Sequence, residues 1–332
     1  MPDALIELQD IKTYFPHQKT VTGRVLSWVR AVDGVDLKIV KGECLGLAGE
    51  SGCGKSTLGR SILRLVPTHD GRILYEQHEI QNLDDRAFRP YRMKMQMVFQ
   101  DPRASLNPKM TVLQIIKEGL SICPGIDKKQ HNRKAVELLS MVDLRPEHLF
   151  RYPHEFSGGQ QQRICIARAL ATGPEFLVFD EATSALDVSV QAQIVHLMST
   201  LQKQLNLTYL FISHDLSIME HICDRVAVMY AGRVMEIQHA HSLFAEPRHP
   251  YTRALRDAVP VADPEKRGGM VMLEGEVPSL IHPPAGCRFH PRCPHAASLC
   301  SVEVPKAHRI SPGNWISCHY HRQLFERKVL FK

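Results

Sequence analysis

No apolar run in this chain approaches the roughly 18–20 residues that a membrane-crossing helix needs, so no spanning segment is expected. The N-terminus, Met1-Pro2-Asp3-Ala4-Leu5-Ile6-Glu7, lacks a basic region, so no secretory signal is expected either. The excess of one sign of charge is small. A net +6 over 332 residues argues only weakly for an acidic partner such as nucleic acid or anionic headgroups. Tight Cys-x₂₋₄-Cys pairs, the usual mark of a zinc site, are missing although the chain has nine cysteines. Cys44, Cys53, Cys123, Cys165 and Cys223 are scattered, mostly in apolar surroundings, and read as reduced thiols of the cytosol. The rest is ordinary: 44% hydrophobic and 23% charged, enough to bury a core in one large domain or two smaller ones.

What is present centres on Gly49-Glu50-Ser51-Gly52-Cys53-Gly54-Lys55-Ser56-Thr57, which fits G-x-x-x-x-G-K-S/T, the phosphate-binding loop. The apolar run Cys44-Leu45-Gly46-Leu47-Ala48 before it reads as a buried strand, and Leu58 to Leu65 after it as a helix. Glycines let successive N–H groups point into one concavity, and a helix N-terminus adds positive potential there. Lys55 is placed to reach the β- and γ-phosphates, and the Ser56 hydroxyl to ligate Mg²⁺. Cys53, beside Lys55 and a helix start, is either a low-pKa thiol or an inert small residue.

Along the chain, Leu5 to Ile11 read as a strand, residues 17 to 30 as an exposed polar loop, and Val35 to Ile39 as a half-solvated strand. Arg72 to Tyr75 and Met93 to Phe99 read as further strands. From Thr111 to Phe150 the apolar period turns helical. Phe176-Leu177-Val178-Phe179 and Tyr209-Leu210-Phe211-Ile212 are buried-strand runs, and Val226 to Glu236 reads as a hairpin. Strands alternating with helices predict an α/β core with a mostly parallel sheet, interrupted by an α-helical insertion at about residues 101 to 155. After Pro247 the composition shifts to Pro, His, Arg and Cys. The expected domains are therefore residues 1–260 and 261–332.

Asp180-Glu181 ends a buried strand, where α/β sheets place ligands. Asp180 would help hold Mg²⁺, and Glu181 would be the base for an attacking water. His214 ends the next buried strand and is a candidate γ-phosphate contact. Gln100 ends another, and its amide is a candidate for Mg²⁺ or the water. Ser157-Gly158-Gly159-Gln160 opens a helix and makes a second anion site, suited to a nucleotide held by another subunit.

These elements, with Ser184-Ala185-Leu186-Asp187, occur in the order of ABC transporter ATPase domains, which the chain resembles over about residues 5 to 250. The resemblance implies a P-loop NTPase core that hydrolyses ATP with Mg²⁺. It makes Phe15 (or Tyr14) the adenine platform, Gln100 the Q-loop glutamine, and Asp187 a residue of the dimer seam. Phe156 stands where such domains more often have leucine.

Glu246-Pro247-Arg248-His249-Pro250-Tyr251-Thr252, Gly275-Glu276-Val277-Pro278-Ser279 and the cysteine-rich tail are similar to the ATPases of dipeptide/oligopeptide permeases, and the loop at residues 17 to 30 to their F-type subunit. That implies a place on the cytoplasmic face of the cell membrane, with a second homologous ATPase in a heterodimer, two transmembrane permease subunits and an external solute-binding protein. Importers of nickel, glutathione or sugars use similar ATPases, and a soluble ABC ATPase is the rival from another class. In the tail, Cys287, Cys293, Cys300 and Cys318 gather where little apolar sequence is available for a core, which suggests a metal centre. Similar tails carry a 4Fe–4S cluster. Zinc, aided by His290, His295, His308, His319 or His321, and unliganded thiols are the alternatives.

Overall fold

The structure, a computed structural model, describes residues 4–258 and 275–326. It begins with β1 (Ala4–Lys19), β2 (Val25–Val40), β3 (Cys44–Ala48) and α1 (Lys55–Ile62). Then come β4 (Asp70–Tyr75), β5 (His78–Glu79), α2 (Asp85–Lys94) and β6 (Met95–Val98). A helical stretch follows: α3 (Pro102–Ser105), α4 (Val112–Ser121), α5 (His131–Met141) and α6 (Gly158–Leu170). Alternation resumes with β7 (Phe176–Asp180), α7 (Val188–Leu205), β8 (Thr208–Ile212), α8 (Leu216–Ile222), β9 (Arg225–Tyr230) and β10 (Arg233–His239). The chain continues with α9 (Ala240–Ala245) and α10 (Pro250–Asp257), then α11 (Ser298–Val302), β11 (His308–Ser311), β12 (Asn314–Ile316) and α12 (His321–Glu326).

The strands β6, β7, β8, β3 and β9 lie side by side in that order and pair in parallel. Every residue of β3, β7 and β8 is buried, which is why these strands read as unbroken apolar runs. Their alternate side chains enter two separate cores. Phe176 and Val178 join Leu58 and Ile62 of α1, whereas Leu177 and Phe179 join Ile164 and Ala167 of α6. The phosphate loop, Gln100, Glu181 and His214 follow the C-terminal ends of β3, β6, β7 and β8, so one edge of this sheet gathers them.

Two findings depart from the sequence expectations. Residues 17 to 30 are not an exposed loop. They form the outer half of a long β1–β2 hairpin, with Pro16 opposite Trp28 and Lys19 opposite Val25. That outer half is held by backbone pairing, and its largely exposed side chains carry no apolar pattern to announce a strand. With β4 and β5 it forms a second, antiparallel sheet that closes over the α1 side of the main one. The tail also differs: it has an apolar anchor, because Phe289 and Ile316 are buried. Its strand β12 pairs with β10, Glu236 opposite Ile316, extending the main sheet with an antiparallel edge. The expected domain boundary near residues 260 to 270 lies outside the described residues. Among the described residues no helix is long and apolar enough to cross a membrane.

Candidate active site

The phosphate loop is shaped by its glycines. Gly49 and Gly54 have φ of 146° and 105°, and a Cβ on them would lie 2.2 Å from the Met229 carbonyl and 2.0 Å from the Ala31 carbonyl. Only glycine fits that backbone. The Lys55 ammonium is buried and donates to the Gly49 and Glu50 carbonyls at 2.7 and 2.9 Å, so the loop is closed around its own lysine. A phosphate offers stronger anionic acceptors at the same place.

Beside the loop, the Ser56 hydroxyl donates to Asp180 Oδ1 at 2.6 Å, and Asp180 is 2% exposed. Arg60 reaches the other carboxylate oxygen at 3.4 Å. Sequence reasoning missed Arg60, although it lies four residues after Ser56 and therefore on the same helix face. A hydroxyl and a carboxylate side by side are hard oxygen donors that fit Mg²⁺.

Glu181 meets two partners from neighbouring strand ends. Gln100 Nε2 donates to its Oε2 at 3.0 Å, and His214 Nδ1 lies 3.7 Å from the same oxygen. The Glu181 backbone has φ of 48°, a left-handed conformation that costs a branched or bulky residue on the order of 1–3 kcal/mol. Its surroundings hold it there. The Glu181 N–H donates to the Ile212 carbonyl at 3.0 Å, and the Glu181 carbonyl accepts from the Ser184 N–H and hydroxyl at 3.1 and 2.9 Å. The structure thus brings Gln100, Glu181 and His214 together, and Ser56 and Asp180 together.

Ser157 caps α6 in a capping box with Gln160, each accepting the other's backbone N–H, at 3.4 and 3.1 Å. Gly159 is buried against Val190, where a Cβ would fall 2.4 Å from its Cγ1, while Ser157 stays exposed. Asp187, at the start of α7, is also exposed. The structure brings neither Ser157 nor Asp187 into hydrogen bonds with the phosphate loop of the same chain, among the described residues.

The chain matches the ABC transporter family over residues 32–184 and the oligopeptide/dipeptide transporter C-terminal region over residues 235–300. It is 49% identical over 322 residues to the oligopeptide transport ATP-binding protein AppF of Bacillus subtilis, covering 96% of this chain and 97% of that protein. This chain belongs to the ATP-binding proteins of ABC transporters.

Similarity extends to a probable peptide ABC transporter ATP-binding protein, y4tS, of Sinorhizobium fredii, 47% identical with 96% of this chain and 90% of that protein covered. Among solved structures, cbiO1 from Clostridium perfringens, part of an ABC transporter complex, aligns with a TM-score of 0.62 and 27% identity over 74% of this chain and 92% of that one. The ATP-binding cassette MJ0796, dimeric in a post-hydrolysis state with ADP and phosphate, aligns with a TM-score of 0.62 and 26% identity over 71% of this chain and 98% of that one. The fold is accordingly that of a P-loop ABC ATPase.

In this ABC ATPase the two aromatic candidates for adenine separate. The Tyr14 hydroxyl is committed to Asp33 and its ring stacks on His69 at 4.8 Å, whereas Phe15 remains 36% exposed. Of the two, Phe15 keeps a face open for a base. Of the two readings open for Cys53, the structure favours the inert one. Cys53 is 1% exposed, and burial pushes its thiol up despite Lys55 Nζ at 3.9 Å.

The four tail cysteines line one cavity, with His249, His290, His295 and His319 also in its wall. Burial raises the Cys287 thiol, Cys293 to about 12 and Cys318 to about 11. Among the described residues, no three His, Cys, Asp or Glu side chains converge closely enough to hold a single ion. Thiols of this kind are soft donors that both zinc and iron–sulfur centres take.

Proposed function

We propose that this chain is the ATP-hydrolysing subunit of a membrane importer for dipeptides or oligopeptides. The observation that carries the reading is the match of residues 235–300 to an oligopeptide/dipeptide transporter region, on a chain whose first part is an ABC ATPase. On this reading Gly49, Glu50, Ser51, Gly52, Cys53, Gly54, Lys55, Ser56 and Thr57 form the loop that wraps the phosphates. Ser56, Asp180 and Gln100 hold Mg²⁺, and Phe15 carries adenine. Glu181 takes the proton of the attacking water, and His214 contacts the γ-phosphate.

A second, homologous ATPase faces this one head to tail, so that Ser157, Gly158, Gly159 and Gln160 reach the nucleotide of the partner, with Asp187 in the seam. The exposure of Ser157 and Asp187 supports this, since both are available to another subunit. ATP closes the pair because it touches both halves only when they are closed, and loss of the γ-phosphate lets them part. The assembly includes two transmembrane permease subunits, which the helical subdomain at about residues 101 to 155 would contact from the cytoplasmic face. An extracytoplasmic solute-binding protein delivers the peptide. Cys287, Cys293, Cys300 and Cys318 would hold a 4Fe–4S cluster with a structural role; their common cavity supports that reading.

The test is reconstitution with the permease subunits in lipid vesicles. ATP turnover should rise when the solute-binding protein is loaded with a dipeptide or oligopeptide. Stimulation by nickel, glutathione or a sugar, and by no peptide, would overturn the substrate assignment.

A further inference from the structure

Glu50 lies inside the phosphate loop, yet its partners come from the far end of the chain. Its backbone N–H donates to the Tyr251 hydroxyl at 2.9 Å, and Tyr251 is fully buried. Its carboxylate accepts from Arg292 Nη1 through both oxygens, at 3.1 and 2.8 Å, across 242 residues of sequence. The Arg292 side chain is only 7% exposed, and the same nitrogen lies 3.3 Å from the Tyr230 hydroxyl. Phe289 fixes this corner from the tail side, its ring 5.3 Å from Tyr230 and 5.4 Å from Tyr251. Arg288 adds a second bond to the core, pairing with buried Asp33, which also holds Tyr14 and Arg233.

Two physical consequences follow. The loop binds an anion only when enough of its amides face inward, and anchoring Glu50 through its N–H and its carboxylate favours a single loop shape. A carboxylate in the loop also repels an incoming phosphate, and a buried guanidinium beside it offsets that charge. Arg292 immediately precedes Cys293, and Arg288 immediately follows Cys287. Whatever orders the cysteine-lined cavity therefore orders the two arginines that reach the nucleotide domain.

We propose that Arg292 is a positioning residue for the phosphate loop, through which the cysteine-rich tail sets nucleotide affinity. This rests on the reading that residues 49–57 bind the phosphates of ATP.

The experiment uses the full chain and a fluorescent, non-hydrolysable ATP analogue with Mg²⁺. Arg292→Ala should weaken binding about tenfold, the scale of a direct coupling between neighbouring groups. Amide exchange should quicken in residues 49–54 with β3 and β8 unaffected. Arg292→Lys, which keeps the charge, should recover most of the affinity. If Arg292→Ala does not fold, Arg292→Gln carries the same test. In either case the loss should shrink in a Glu50→Gln background, because the partner charge is already gone. Wild-type affinity and loop exchange in the Arg292 variant, with binding lost in Lys55→Ala, would overturn the inference while leaving the phosphate-loop reading intact. Additive losses in the double variant would also overturn it. Failure of Lys55→Ala to weaken binding would instead remove the phosphate-loop reading itself.

Discussion

Gln100 and Glu181 are joined by a hydrogen bond of 3.0 Å, from Gln100 Nε2 to Glu181 Oε2, although 81 residues separate them in the chain. The reason is topological. Gln100 follows β6 and Glu181 follows β7, and the two strands pair in parallel, so their C-terminal ends are neighbours. Glu181 therefore sits at the sheet edge oriented by a neutral donor, and on the proposed reading its carboxylate is the base. Glu181→Gln should lower ATP turnover by roughly 10²–10⁴-fold, the usual loss for a general base, while nucleotide still binds and the closed ATPase pair accumulates. Single-turnover hydrolysis and size-exclusion chromatography with ATP would check this. Undiminished turnover in the assembled transporter counts against the base assignment.

Asp180 is buried and accepts from the Ser56 hydroxyl at 2.6 Å. Asp180→Asn preserves the shape and removes the charge. Its expected effect is a fall in Mg²⁺ affinity of about 10–100-fold, the range for a group that supports a metal through its shell. Nucleotide binding without Mg²⁺ should persist. Titrating Mg²⁺ into a complex with a non-hydrolysable analogue measures the first, and a titration in chelator measures the second. Equal Mg²⁺ dependence in wild type and variant would remove Asp180 from the metal site.

Cys53 has its thiol raised by burial, with the Lys55 charge too weak to reverse the shift. A raised thiol stays protonated at pH 7–8, and the thiolate is the nucleophile. Alkylation of native protein should therefore be slow at Cys53, with or without nucleotide, and should become fast on unfolding. The unfolded thiol ionises at about 8.5, so the stability from keeping Cys53 neutral is complete below that pH and is lost as pH rises through the folded value. Mass spectrometry of alkylated peptides at pH 7.5 reads the labelling, and rapid labelling of Cys53 prevented by ATP is the contrary result.

The tail is testable by composition. Protein purified without oxygen should be brown, with about four iron atoms and four acid-labile sulfides per chain. Cys293→Ser should bleach it, make the tail sensitive to proteases, and leave nucleotide binding measurable but weakened, as for Arg292→Ala. Colourless anaerobic protein with stoichiometric zinc would replace the cluster reading.

Much of this protein was determined by its sequence alone. The runs in β3, β7 and β8 announced buried parallel strands, because strands covered on both faces must be apolar throughout. The phosphate loop was legible because its glycines, lysine and hydroxyl act over a few consecutive residues. Glu181 and Asp180 were legible because they sit at the end of such a strand. Tertiary structure decided the rest. The outer half of the β1–β2 hairpin is made by backbone bonds between largely exposed residues, which leave no apolar pattern. Tyr14 and Phe15 looked alike until Asp33 and His69 occupied the first. Cys53 could be read as activated or inert until packing removed its water. The pairing of β12 with β10 and the bond from Arg292 to Glu50 join segments far apart in sequence. Nothing local in either segment specifies its partner; burial and charge choose it only after the chain has folded.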